Sequence, residues 1–161
     1  MKYLLTLWKF ARPHTIIGST VSITTLYFMT CPYEERLLHL PLLCLSLVTG
    51  ICCNIFIVGI NQIADIAIDK INKPQLPLAS GALSIRGAYT IVYISALVCA
   101  SCAAYVSLVL LGIVSLSMLI GMAYSLPPFH FKKHHLPAAM AITLVRGMLV
   151  NLGGFYVFSM Q

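Results

Sequence analysis

The sequence has little charge and hardly any acid. Charged residues make up 9% of the 161-residue chain, whereas an ordinary soluble domain has about 25%. Hydrophobic residues make up 60%, and a soluble chain of this length could not bury that much apolar surface in one core. The composition therefore excludes a soluble globular domain and favours a protein that is solvated by lipid.

Acidic residues number four, against ten Lys and Arg, which gives a net charge of +6. In a soluble protein this excess would suggest a nucleic-acid partner, but here the basic residues alternate with apolar segments, so we expect none. The basic residues fall into three groups: Lys2, Lys9 and Arg12; Lys70, Lys73 and Arg86; Lys132 and Lys133. The intervening loops hold only Arg36, beside Glu34 and Glu35. By the positive-inside rule, the N-terminus and the two basic loops are cytoplasmic.

The six cysteines lack the spacing of a metal or redox site. Five lie inside apolar runs, where cysteine behaves as a small hydrophobic residue. No Cys-x-x-Cys motif pairs with a second one or with spaced histidines, so we expect no zinc or redox site. The N-terminus also lacks a clear signal-peptide cleavage site, so we expect it to be retained.

Uncharged stretches predict membrane-spanning helices, since one crossing takes about 20 residues. The join near residues 104–108 has no Gly or Pro and is the least certain boundary. The sequence thus predicts an all-α, multi-span transmembrane helix bundle in one domain, residues 1–161. Five spans are predicted: 13–31, 38–66, 86–105, 108–126 and 137–160.

Three oxygen-bearing side chains stand at the cytoplasmic end of the second predicted span. Asn61, Asp65 and Asp69 are four residues apart, and each step of four turns about 40° and rises about 6 Å along a helix. They are therefore expected to share one helix face and to bind Mg²⁺, which prefers oxygen ligands and completes its shell with water and phosphate. A plainer interpretation remains open, in which Asp69 pairs with Lys73 and Asn61 bridges helices.

Both basic loops offer cations to a phosphate. Lys70 and Lys73 follow the acidic residues directly, and Lys132 and Lys133 follow Pro127–Pro128 in the second loop. Proline-restricted backbone beside lysines suits an anionic headgroup. Ordinary positive-inside charge is the alternative, and it is the better account of Lys133.

Two arginines are unusual for their positions. Arg146 lies about 13 Å inside the last predicted span, where an arginine nearly always faces a polar cavity or a partner. We expect it to face substrate, although a structural ion pair stays open. Arg12 precedes Pro13 and is either an anchor at the membrane surface or a second cation of the cavity.

The run NQIADIAIDKINKPQLPLASG, residues 61–81, resembles the first aspartate-rich region of the UbiA superfamily of intramembrane prenyltransferases. It is most similar to the branch that transfers phytyl, prenyl or solanesyl groups to homogentisate for tocopherol and plastoquinone synthesis. Residues 8–18 (WKFARPHTIIG), 123–132 (AYSLPPFHFK) and 145–147 (VRG) also resemble that branch. The resemblance covers essentially the whole chain, in order.

The resemblance implies a nine-helix bundle with a cavity that opens to lipid. It also implies that two Mg²⁺ ions bridge two aspartate-rich motifs and the diphosphate of a polyprenyl donor, and that an aromatic acceptor, homogentisate, is alkylated. The implied membrane is a bacterial inner membrane or a plastid-type membrane. The roles that it implies are the metal and diphosphate for Asn61, Asp65 and Asp69, the diphosphate for Tyr124 and Lys132, and substrate contact for Arg12, Lys70, Lys73, His130 and Arg146.

The sequence departs from the family pattern in two ways. It contains no second aspartate-rich motif, and His130 stands where arginine is common, which weakens one phosphate contact at neutral pH. We therefore expect the N-terminal half of such an enzyme, inactive alone. Three origins stay open: a fragment, the product of a broken gene, or one piece of a split protein whose partner would be a C-terminal half chain with the second motif. Two other hypotheses stay open: a segment of a cation-coupled transporter, which would predict helices broken near the midplane, and a non-catalytic membrane assembly partner.

Overall fold

The computed structural model describes residues 2–159, and the side chain of Lys2 lies outside the description. The predicted end of the last span at residue 160 also falls outside it. Every regular element in residues 2–159 is helical. The α-helices are α1 (Lys2–Phe10), α2 (Pro13–Thr30), α3 (Leu40–Ala64), α4 (Ile66–Asn72), α5 (Ile85–Val106), α6 (Leu108–Ser125), α7 (His135–Ile142) and α8 (Val150–Ser159). A π-helical segment, Thr143–Leu149, joins α7 to α8, and short 3₁₀ turns stand at Tyr33–Glu35 and Phe131–Lys133.

Four continuous helices in the described part of the chain are long and apolar enough to cross a membrane: Leu40–Ala64, Ile85–Val106, Leu108–Ser125 and His135–Ser159. They match four of the five predicted spans and, by length and composition, identify an integral membrane protein. The fifth predicted span coincides with α2, which has 18 residues but is not among these four. That α2 crosses the membrane stays a prediction, as does the orientation of the bundle.

The break between the third and fourth predicted spans is confirmed at Ser107. Its backbone is extended, with φ −168° and ψ 154°, and its hydroxyl accepts a hydrogen bond from the N–H of Leu110 at 3.0 Å. A serine at this position satisfies one of the free N–H groups that begin a helix. Without Gly or Pro, the turn between α5 and α6 therefore depends on this N-cap.

Helix α3 is the centre of the bundle and packs against α2, α5 and α6. Glycines allow the closest approaches. A Cβ atom added at Gly59 would lie 2.4 Å from the Cγ2 atom of Val92 on α5, and one at Gly121 of α6 would lie 2.7 Å from Ile57 on α3. These contacts bring α5 and α6 close to α3, and α3 and α6 then line one side of a cavity.

The loop between α2 and α3 is tied together by Arg36. Its guanidinium donates to the carbonyl oxygens of Phe28 at 2.9 Å and Cys31 at 3.4 Å, and it lies over the rings of Phe28 and Tyr33. Tyr27 in turn donates its hydroxyl to the Arg36 carbonyl. Arg36 is the one basic residue in the loops predicted to face away from the cytoplasm. It thus has a structural role, since it closes the end of α2.

Candidate functional site

The predicted acidic stripe lies where α3 gives way to α4. Asp65 stands at the junction with φ −102° and ψ 10°, outside the helical region of backbone space. The N–H of Asp65 still donates to the Asn61 carbonyl at 3.0 Å, and that of Asp69 to the Asp65 carbonyl at 2.7 Å. The prediction of one unbroken helix through residue 66 is therefore wrong at Asp65, where the chain bends after the last turn of α3.

Asn61, Asp65 and Asp69 do not all face the same cationic partner. Asn61 and Asp65 share one cation, Lys132, whereas Asp69 is buried and lies 3.8 Å from the Nζ atom of Lys73. This second pair is the i, i+4 contact of the plainer interpretation. Among residues 2–159, no three His, Cys, Asp or Glu side chains are grouped closely enough to hold a metal ion. A metal bound by Asn61, Asp65 and Asp69 stays a prediction.

Lys132 comes from the loop that follows α6. Its Nζ atom lies 2.5 Å from Asp65 Oδ1 and 3.5 Å from Asn61 Oδ1. The side chains of Lys132 and Asp65 are 14% and 17% exposed, and Ser125 adds a hydrogen bond to Asn61 Oδ1 at 3.3 Å. Breaking a pair in so little water leaves an uncompensated charge and is expensive. The two cytoplasmic loops of the prediction therefore meet at this ion pair.

His130 sets the path of that loop. It adopts a left-handed backbone, with φ 47°, which is uncommon for a residue other than glycine, and its N–H donates to the Leu126 carbonyl at 2.9 Å. Partial burial, and then the ammonium groups of Lys133 and Lys132, lower the pKa of His130 below its ordinary value, and the Asp65 carboxylate opposes them. His130 therefore carries less positive charge at neutral pH than an unperturbed histidine.

A cavity of about 450 Å³ opens beside this ion pair, between α2, α3, α6 and the last span. Four residues with predicted substrate roles line it: Arg12, Asn61, Tyr124 and Arg146. Arg146 belongs to the π-helical segment, a type of helix that is frequent at functional sites. Arg146 thus lines a cavity, and its predicted contact with substrate stays a prediction.

Most hydroxyl groups along the cavity are already hydrogen-bonded to their own helices. Ser19, Thr49 and Ser117 donate to the carbonyl four residues earlier, at 3.2, 2.8 and 2.8 Å. The hydroxyl of Ser46 is buried without a partner in the described structure. Since the other protons are turned back to the backbone, the cavity wall is less polar than its Ser and Thr content suggests.

A smaller basic pocket, of about 440 Å³, adjoins the cavity and shares Arg12 and His14 with it. Lys9 and Lys73 also line this pocket, together with Pro13, Gln75 and Leu76. Lys70 is exposed and lines neither of the two cavities. Of the two lysines predicted from the first loop, only Lys73 is thus placed beside a pocket.

Two amide side chains that the sequence did not single out hold Arg12 in position. The Nδ2 atom of Asn54 donates to Thr15 Oγ1 at 2.9 Å, and that hydroxyl donates to the Arg12 carbonyl at 2.8 Å. Gln62 Nε2 donates to the Phe10 carbonyl at 2.6 Å. Amides inside an apolar span are costly, so their presence on α3 was a signal that could have identified them.

Comparison with known proteins agrees with this arrangement. The sequence model of the UbiA prenyltransferase family matches residues 21–161. A homogentisate phytyltransferase of Synechocystis is 43% identical over 156 residues, which are 94% of this chain and 50% of that protein. The chain spans half or less of the length of the curated relatives that it matches.

Solved structures share the fold. A structure of digeranylgeranylglyceryl phosphate synthase has a TM-score of 0.86 at 24% identity and covers 98% of this chain and 54% of that one. A UbiA homologue from Archaeoglobus fulgidus bound to GPP and Mg²⁺ has a TM-score of 0.78 at 19% identity, over 94% and 53% of the two chains. The predicted all-helical membrane fold is therefore confirmed.

Proposed function

The chain belongs to the UbiA prenyltransferase family, and we propose that it forms the N-terminal half of an enzyme that transfers a polyprenyl group from its diphosphate to an aromatic acceptor. The observation that carries this proposal is the meeting of Asn61, Asp65 and Lys132 beside an apolar cavity. The proposed acceptor is homogentisate, in a bacterial inner or plastid-type membrane. It is supported by the relative named homogentisate phytyltransferase.

The oxygen atoms at the bend suit magnesium. Asn61 Oδ1 and Asp65 Oδ1 both approach one cationic group, the ammonium of Lys132, so the structure already places positive charge between them. With Asp69, whose carboxylate faces Lys73, they would supply the neutral and anionic oxygen atoms that Mg²⁺ takes in proteins. When bound there, Mg²⁺ would supply Lewis-acid stabilisation of the departing diphosphate.

The remaining charges are proposed to hold the diphosphate. Arg12 and Lys73 line the basic pocket, Lys132 lies at Asp65, and Tyr124 supplies a hydroxyl at the cavity. Lys70 is exposed next to Asp69 and is proposed to meet the diphosphate from outside the cavity. Fixed cations that face the leaving oxygens stabilise the charge that develops as the bond breaks. His130, with its lowered pKa, is proposed to contribute a neutral hydrogen bond in place of the charge of an arginine.

The cavity is proposed to hold the prenyl chain and to exclude water. The bond between the prenyl C1 atom and the diphosphate oxygen breaks, and its electron pair leaves with the diphosphate. The allylic cation is attacked by an electron-rich ring carbon, which then releases its proton. The homogentisate side chain loses its carboxylate as CO₂, and the carbon left behind takes up a proton to become a methyl group.

Helix geometry disfavours the transporter hypothesis. Transport sites typically lie at discontinuous helices near the bilayer midplane. In residues 2–159, the bend at Asp65 ends a 25-residue helix and the break at Ser107 separates two complete ones, so both lie at the ends of spans. The π-helical segment Thr143–Leu149 lies within the last span but leaves it a continuous helix from His135 to Ser159.

The experiment combines this chain with a second chain, the C-terminal half of the Synechocystis relative, in the same membranes. We expect Mg²⁺-dependent transfer of a labelled prenyl group to homogentisate only when both chains are present. Asp65→Ala should reduce transfer by at least about a hundredfold, the loss typical of removing one group that stabilises developing charge. Glu34→Ala, which changes an exposed acid in the opposite loop, should leave transfer unchanged. Normal transfer by Asp65→Ala would refute the metal role.

A further inference from the structure

Lys132 occupies the position in which the proposed function requires a metal. Its ammonium is 2.5 Å from Asp65 Oδ1 and 3.5 Å from Asn61 Oδ1, and both oxygens belong to the proposed metal site. The lysine and aspartate side chains are largely buried, so water screens the pair only weakly. In this state the site is already neutralised by a cation of the protein itself.

A magnesium ion on Asp65 Oδ1 would stand close to this ammonium. Mg²⁺ binds oxygen at about 2.0–2.1 Å and demands a nearly complete octahedron. With the ammonium nitrogen 2.5 Å from the same oxygen, the two cations would be roughly 4 Å apart, and in so little water they repel each other strongly. Metal binding therefore favours movement of Lys132 away from Asp65.

The position of Lys132 permits this movement. It lies in a 3₁₀ turn of three residues between α6 and α7, outside the long helices, and a lysine ammonium is carried on a flexible four-carbon stem. By contrast, Asn61 is fixed in the last turn of α3 and receives a second hydrogen bond from Ser125. Asn61 Oδ1 is thus held by the helix and by Ser125, whereas rotation about the bonds of its stem can carry the Lys132 ammonium to another anionic partner.

We propose that Lys132 is an exchangeable counter-ion, which fills the Asn61–Asp65 site when no metal is present and transfers to diphosphate oxygens when a metal diphosphate enters. The proposal rests on the proposed function. As a consequence, the metal and the diphosphate bind together. A divalent ion alone must displace the lysine without offering it a new partner. A metal diphosphate brings both the replacement cation and the new anionic partner. The site held by Lys132 therefore discriminates against metal without substrate.

A purely structural role for Lys132 makes the opposite prediction. If the ammonium only tied the α6–α7 loop to α3, its removal would loosen the site, and metal affinity would stay constant or fall. If the ammonium competes with the metal, its removal raises metal affinity. The sign of the change separates the two roles.

The test is a Mn²⁺ titration of the purified 161-residue chain in lipid nanodiscs, followed by the electron paramagnetic resonance signal of free Mn²⁺, since manganese also prefers oxygen ligands. We expect Lys132→Gln to bind Mn²⁺ about tenfold or more tightly than the wild type, a change of about 1.4 kcal/mol. Lys133→Gln, the matched loss of a neighbouring exposed lysine, should have the wild-type affinity. Lys132→Arg, which keeps the charge, should bind as weakly as the wild type.

Inorganic diphosphate should increase the Mn²⁺ affinity of the wild type by a larger factor than that of Lys132→Gln. The formation of Mn²⁺-diphosphate complexes is measured in protein-free nanodiscs and subtracted. Suppose that Lys132→Gln binds Mn²⁺ no more tightly than the wild type, while the variant Asp65→Asn does not bind it. That result would overturn the exchange and leave the metal site intact. Mn²⁺ binding that is absent from every variant, or indifferent to Asp65→Asn, would overturn the metal site and the exchange together. Should Lys132→Gln lose its helical circular dichroism, Lys132→Met, which keeps the side-chain length, is measured in its place.

Discussion

Gln62 shows how much one buried amide does in this bundle. It is 1% exposed, and its Nε2 atom joins α3 to the carbonyl of Phe10, 52 residues earlier in the chain. Because Gln62→Leu leaves that carbonyl buried without its donor, we expect a loss of about 1–3 kcal/mol of unfolding free energy. Thermal unfolding in detergent measures it, with Gln75→Leu at an exposed position as the matched control. Equal midpoints for the two variants would contradict a stabilising role for this hydrogen bond.

His130 provides a pH test at the same scale. Partial burial and the ammonium groups of Lys133 and Lys132 lower its pKa in the folded chain, so the unfolded chain takes up the proton first as the pH falls. Stability from this group is therefore complete above the ordinary histidine pKa of about 6.5 and decreases as the pH falls below it. We expect the unfolding temperature of the wild type to decrease more steeply between pH 7 and pH 5 than that of His130→Gln. Lys133→Gln, which removes one of the repelling charges, should give an intermediate slope, and identical slopes for all three would contradict the shifted pKa.

The site residues were predictable one by one, but their partners were not. Asn61, Asp65 and Lys132 stand out because polar groups are costly at the edge of an apolar span. That Lys132 pairs with Asp65 depends on a contact across 67 residues, which no local spacing encodes. The bend at Asp65 was missed for a similar reason: the run from Asn61 to Asp69 is compatible with an unbroken helix, and the surroundings of Asp65 decide otherwise.

At the scale of elements, the α3–α5 contact depends on a missing side chain. A Cβ atom at Gly59 would lie 2.4 Å from Val92 Cγ2 and 3.1 Å from the ring of Phe10. Val92 is β-branched and has few alternative rotamers, so it cannot easily give way. We expect Gly59→Ala to destabilise the chain by about 1–3 kcal/mol.

Gly112 on α6 is the matched control, since a Cβ atom there would have no neighbour within 4 Å. Gly112→Ala should raise stability by about 0.5–1 kcal/mol, because alanine loses less backbone entropy in a helix. Both variants are compared by thermal unfolding in the same detergent. Destabilisation of equal size at Gly59 and Gly112 would show that the α3–α5 contact does not require a glycine.

Apolar length predicted the helices better than it predicted which of them cross the membrane. The four helices that qualify by composition were predicted because long uncharged runs leave few alternatives in lipid. Helix α2 contains several Ser and Thr residues, which lower its hydropathy although several of them bond to neighbouring helices or to their own backbone. Hydropathy counts a hydrogen-bonded hydroxyl as if it were exposed to water. Composition alone therefore underestimates the tendency of α2 to cross the membrane.

For the whole molecule, the contacts of α2 argue that it crosses. Near its start, Thr15 bonds to Asn54 of α3; further along, Ser22 donates to Asn151 of α8 at 2.8 Å; near its end, Tyr27 stacks edge-on against Phe158. The helix thus runs beside its neighbours over its whole length, and 18 residues rise about 27 Å, close to the hydrocarbon thickness of about 30 Å.

The side of the membrane reached by the loop after α2 tests this directly. In a background without native cysteines, single cysteines at Lys9, Glu34 and Lys133 are labelled with a membrane-impermeant maleimide in sealed, oriented vesicles. If α2 crosses, Glu34→Cys reacts from the side opposite to Lys9→Cys and Lys133→Cys, because one crossing separates residues 9 and 34, and three separate residues 34 and 133. If α2 does not cross, Lys9→Cys and Glu34→Cys react from the same side, and Arg12 would then lie across the bilayer from both Lys73 and Lys132. Since one diphosphate cannot bridge that distance, this labelling pattern would contradict both the five-span bundle and the shared substrate site.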